Sequence, residues 1–74
     1  MEVGKTYAIT MQQSVNQVME SCYVYELTET NTVKFATRLA DGIVFVEMAT
    51  STLSAVETTP DEELEAAVKA AGYM

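Results

Sequence analysis

Apolar positions in this chain keep a period of two through the middle and a helical period at the end. Asp41-Gly42, set between Arg38-Leu39-Ala40 and Ile43-Val44-Phe45-Val46, is a hairpin signal. A two-residue loop there pairs Ala40 with Ile43, Leu39 with Val44, Thr37 with Val46 and Phe35 with Met48. The reverse face then sets Arg38 opposite Phe45, Ala36 opposite Glu47 and Lys34 opposite Ala49, with Glu47 diagonal to both Lys34 and Arg38. Upstream, Glu29-Thr30-Asn31 predicts a three-residue turn that pairs Leu27 with Val33, Tyr25 with Phe35 and Tyr23 with Thr37, and puts Glu26 opposite Lys34. Both turns give one partition. Tyr23, Tyr25, Leu27, Val33, Phe35, Leu39, Val44, Val46 and Met48 are expected inside. Cys22, Val24, Glu26, Lys34, Ala36, Arg38, Phe45 and Glu47 are expected outside.

The flanks supply the remaining elements. Val3, Tyr7 and Ile9 share one parity and predict a first strand. Thr10-Met11-Gln12-Gln13 has the form of a capping box, and Met11, Val15, Val18 and Met19 follow a helical stripe. That spacing predicts a helix over about residues 11–20. Leu53 to Glu57 predicts a further short strand. At the end, Thr59 is the expected N-cap, Pro60 the first helical residue and Glu62 the partner in a capping box. Leu64, Ala67, Val68 and Ala71 form the apolar stripe of this helix, Glu65 and Lys69 an i, i+4 pair, and Gly72 its stop. The predicted class is α+β, with order β-α-β-β-(β)-α: a small antiparallel sheet of three to five strands with two helices on one face. If residues 11–20 form a loop, the alternative is a small five-stranded β-barrel with a C-terminal helix.

Length and charge narrow the picture. Seventy-four residues make one domain with a thin core. Eleven Asp and Glu against four Lys and Arg leave a net charge of −7. That balance disfavours direct binding to nucleic acid or to an anionic membrane and favours a basic protein surface. One cysteine forms no internal disulfide, which suits a reducing cytoplasm. Met1 to Lys5 carries no basic region and no apolar h-region, so no signal peptide is expected. The apolar run Ile43 to Val46 is far short of the ~20 residues a spanning helix needs.

The inventory of reactive groups is short. Without histidine, acid–base or metal chemistry falls to Asp, Glu, Lys or Tyr. Asp61, Glu62, Glu63 and Glu65 complement the dipole of the last helix, while Glu26 and Glu47 answer Lys34 and Arg38. Cys22 has neither a histidine to activate it nor a second cysteine, and reads as an inert thiol, buried or half-buried, the alternative being an intermolecular disulfide or a reactive thiol. The three glycines stand far apart at 4, 42 and 72, so no phosphate-cradling loop is formed. No catalytic residue, cofactor or metal is expected.

Glu62-Glu63-Leu64-Glu65-Ala66-Ala67-Val68-Lys69-Ala70-Ala71-Gly72-Tyr73 resembles the last helix of heavy-metal-associated ferredoxin-like domains. The resemblance implies a ferredoxin-like arrangement. It carries over no metal ligand, because Met11-Gln12-Gln13-Ser14 stands where that family has its cysteine pair, and only Met74 follows Tyr73.

The expected function is that of a non-enzymatic acidic protein acting by protein–protein interaction. In size and charge it resembles phage-encoded inhibitors, including anti-CRISPR and anti-restriction proteins, which implies occupation of a basic nucleic-acid-binding surface. The alternative is a structural or assembly subunit, a homodimer through the outer sheet face. Asp61, Glu62 and Glu65 on the last helix, with Val24 and Phe45 on the sheet, are the expected partner-binding residues.

Overall fold

The computed structural model describes residues 1–12 and 17–74. Five strands form one antiparallel sheet: β1 (Thr6–Met11), β2 (Gln17–Leu27), β3 (Thr32–Leu39), β4 (Gly42–Ala49) and β5 (Leu53–Glu57). Their spatial order is β4-β3-β2-β1-β5. One helix, α1 (Glu62–Ala70), follows. The α+β class holds, but the expected first helix does not. Met11 is in β1 and Gln17–Glu20 are in β2, while the rest of that prediction, residues 13–16, lies outside the described residues. The helical stripe at Val18 and Met19 is overridden by strand pairing, since Val18 sits opposite Thr10 and Met19 opposite Ile9. The ferredoxin-like arrangement needs that helix and is not what forms.

The sheet curls strongly without closing. A 3-10 turn at Thr50–Thr52 joins β4 to β5, which are the two edge strands. Edges of a flat five-stranded sheet would lie roughly 19 Å apart at about 4.8 Å per strand. Four Cα steps from Ala49 to Leu53 reach at most about 14 Å. Two bulges on β2 make the bend. Glu20 and Ser21 together face Ala8, because Tyr7 pairs with Cys22 but Ile9 pairs with Met19. Tyr25 is the second extra residue, between Val24↔Phe35 and Glu26↔Lys34. An extra residue bends its strand and raises the local twist.

The Tyr25 bulge also reverses part of the expected partition. Leu27 pairs with Val33 and Glu26 with Lys34, as the turn at Glu29-Thr30-Asn31 predicts. Beyond the bulge, Tyr23 pairs with Ala36 and Cys22 with Thr37. Cys22 and Val24 therefore join the concave core with Tyr7, Ile9, Val33 and Phe35. Tyr23 turns to the convex face, where it packs with Ala36, Leu64 and Val68 beneath α1. In the next hairpin, Leu39 pairs with Gly42 and Phe35 with Val46, two residues away from the expected register. A type I′ loop at Asp41-Gly42 needs positive φ at both residues. Asn31 is the only non-glycine with positive φ among the described residues, so Asp41 does not meet that need. Instead Ala40 and Asp41 make the turn, and Gly42 opens β4 at φ 123°. A slip of two keeps parity, so β3 and β4 present the expected faces.

Candidate interaction surface

The start of α1 is held by three separate partners. Asp61, not Thr59, is its N-cap: its carboxylate accepts the Leu64 backbone N–H at 3.1 Å. The Asp61 backbone N–H donates to the Thr6 hydroxyl at 3.1 Å, tying the helix to β1. The Arg38 guanidinium forks onto the Asp61 carboxylate, with one bond at 2.8 Å, and also donates to Glu63 at 3.0 Å. Hydrogen bonds from Arg38 are the main reason the Asp61 pKa drops from 3.8 to about 2; burial opposes the drop and the Leu64 N–H adds to it. Arg38 is held protonated in turn, first by Asp61 and then by Glu63. Arg38 thus answers the helix, not Glu47. Glu47 lies directly opposite Lys34 and accepts the Thr32 hydroxyl at 2.6 Å.

The far end of α1 places an aromatic cluster. Gly72, at φ 84°, ends the helix in a Schellman motif: Tyr73 N–H donates to the Val68 carbonyl at 3.2 Å and Gly72 N–H to the Lys69 carbonyl at 3.1 Å. The chain turns back, and the Tyr73 ring stacks on Tyr25 with centroids 4.8 Å apart and planes 14° apart. Phe45 meets Tyr73 at 5.3 Å and Tyr25 at 6.2 Å, both edge-on. Phe45 and Tyr73 are exposed, at 41% and 53%. The Tyr25 phenol is pushed up by burial first, then by Tyr73, with Glu26 and Glu47 adding and Lys34 opposing. Of the three charged neighbours, Lys34 acts on the Tyr25 phenol most strongly, ahead of Glu26 and Glu47.

Four of the five expected partner-binding residues stand on the helix side of the sheet. Asp61 caps the helix and pairs with Arg38, Glu65 is bonded to Lys69 at 2.8 Å, Glu62 is exposed, and Phe45 joins the aromatic cluster. Val24 does not stand there: it lies on the concave face, fully buried, and presents nothing to a partner. Tyr25 and Tyr73 escaped the sequence reading. The signal for Tyr25 was the run Cys22-Tyr23-Val24-Tyr25, apolar on both parities, which needs cover on both faces.

Elsewhere, β2 and β3 diverge beyond Cys22↔Thr37 and leave a cleft of about 330 Å³ lined by Val18, Glu20, Ser21, Arg38 and Leu39 among others. Its floor is self-satisfied in part, since the Thr37 hydroxyl donates to the Ser21 carbonyl at 2.8 Å. Cys22 beside it is buried, and burial pushes its thiol pKa up. Among the described residues no three of Asp, Glu and Cys converge to hold a metal ion. No described helix is long and apolar enough to cross a membrane. Compared with protein-family models, curated proteins and solved structures, the chain matches none.

Proposed function

We propose that this chain is a non-enzymatic acidic binding protein that docks on a basic surface of a protein partner in the cytoplasm. The observation that carries this reading is the charge inventory in three dimensions. All four bases are engaged by carboxylates: Lys5 by Glu2 and Glu57, Lys34 by Glu26, Arg38 by Asp61 and Glu63, and Lys69 by Glu65. Glu20, Glu29, Asp41, Glu47 and Glu62 stand outside these pairs on exposed positions. No base is left to attract an anion, so electrostatic steering favours cationic partners alone. A groove built for nucleic-acid phosphates is one such target, which would make the chain an inhibitor of the anti-CRISPR or anti-restriction type. The pairing of Asp61 and Glu65 moves the expected contact toward Glu62 and the other unpaired acids.

The test is binding to nucleic-acid-handling complexes of the host across a salt series. Association should weaken steeply with salt and fall on charge reversal at Glu62 and Glu47. No binding at low salt, or binding indifferent to those reversals, overturns the reading. A second reading, a homodimer through the outer sheet face, draws on the exposed rings of Phe45 and Tyr73. The net charge of −7 on each copy opposes it. Light scattering at high concentration separates the two.

A further inference from the structure

We propose that the Tyr25–Phe45–Tyr73 cluster is the docking point for an arginine side chain on a basic segment of the partner. This rests on the reading of the chain as a binder of cationic protein surfaces, and it names the contact. Three rings lie in mutual contact on the convex face, and two of them are exposed. Ring faces carry the negative lobe of the aromatic quadrupole and attract cations, most of all when a carboxylate stands nearby. Glu47 is on the same face of β4 as Phe45, two residues on, and is bound to no base. Glu26 is already held by Lys34 at 3.3 Å. Lys34 stands near Tyr25 but is bonded to Glu26 at 3.3 Å, and the other three bases are held by carboxylates as well, so the exposed rings of Phe45 and Tyr73 are left to a cation from outside.

The geometry favours arginine. Tyr73 and Tyr25 are stacked at 4.8 Å, which leaves no gap between them for any cation, so one must lie on the exposed surface of the stack. A guanidinium is planar, weakly hydrated and stacks on such a surface while its N–H groups reach a carboxylate. A second copy of the chain is the poorer occupant, because it would bring its own carboxylates against Glu47.

The test is NMR of the ring resonances of the full chain at low salt, titrated with acetyl-(Gly-Arg)5-amide, its lysine counterpart and its citrulline counterpart. The arginine peptide should shift Phe45 and Tyr73, the lysine peptide should bind more weakly, and the uncharged citrulline peptide should leave the rings unmoved. Tyr73→Ser and Glu47→Gln, both at exposed positions, should each weaken the arginine peptide about two- to fivefold. Phe45→Ser is a supporting variant, checked for folding by circular dichroism. Arginine-peptide binding unchanged in Tyr73→Ser and Glu47→Gln but lost in Glu62→Lys overturns the ring site and leaves the broader reading standing. Equal shifts from the citrulline peptide, or ring shifts that depend on protein concentration alone, also overturn it. Failure of every cationic peptide to bind at low salt overturns both.

Discussion

Asp61 joins three elements through one residue. Its carboxylate caps α1 and takes Arg38 from β3, and its backbone N–H reaches Thr6 on β1. Removing the side chain in Asp61→Ala should cost about 1–2 kcal/mol from the cap, read as a lowered thermal midpoint. The acid dependence has a defined sign. A carboxylate whose pKa falls from 3.8 in the open chain to about 2 in the folded one stabilises the fold fully above pH ~4. That contribution is lost as pH drops from there through about 2. Chemical denaturation of Asp61→Asn, which keeps a cap but cannot ionise, should show a flatter stability profile across that window than the parent. Val24 and Phe45 make a second contrast between residues. Val24→Ala opens a cavity in the concave core and should cost about 1.5–3 kcal/mol. Phe45→Ser trims a half-exposed ring and should cost about 1 kcal/mol. Equal losses would contradict the burial of Val24 and the exposure of Phe45.

The Tyr25 bulge in β2 decides which side chains enter the core. Deleting Tyr25 would make Val24↔Phe35 and Glu26↔Lys34 consecutive pairs of a regular ladder, so Cys22 and Val24 would keep the concave face and Tyr23 the face beneath α1. That variant should keep a cooperative thermal transition by circular dichroism, at a midpoint lowered by loss of the bend and of the stacked ring. Tyr25→Ala keeps the extra residue and should keep the transition at a lower midpoint. The helix end offers a parallel test. Gly72 holds φ 84°, and an alanine there is strained by about 1–2 kcal/mol. Gly72→Ala should lower the midpoint and pull Tyr73 away from Tyr25, seen as lost upfield shifts of the stacked rings.

Charge governs the molecule as a whole. The radius of gyration, 11.4 Å, matches the roughly 11 Å of a compact chain of this length, so −7 is concentrated on a small body. Exposed ion pairs contribute little each, and salt screens them together with the repulsion among unpaired acids. With the acids in such excess, repulsion outweighs attraction, and the thermal midpoint should rise from 0.02 M toward about 0.5 M salt. Glu29→Lys, in an exposed turn away from the helix dipole, should raise the low-salt midpoint while weakening a basic partner. A midpoint that falls with salt would show that the pairs dominate.

Some of this architecture was legible in the chain. The turn at Glu29-Thr30-Asn31, the pairing of Glu26 with Lys34, the faces of β3 and β4, the strand at Leu53–Glu57 and the helix ending at Gly72 all follow from local signals. Each depends on residues a few positions apart: a polar turn tripeptide, a period of two, a helical apolar stripe and a glycine stop. The acid excess and the missing histidines are likewise fixed by composition. Tertiary structure decided the rest. A helical stripe at Val18 and Met19 gave way to pairing with β1, because that ladder satisfies the backbone on its β1 side and brings Met19 opposite Ile9 at the concave core. Parity within Cys22-Tyr23-Val24-Tyr25 could not be read locally, since all four residues are apolar and only the bulge assigns them to two cores. The aromatic cluster joins β2, β4 and the chain end, residues 20 or more apart in sequence. No local pattern brings such rings together; the curl of the sheet and the docking of α1 do.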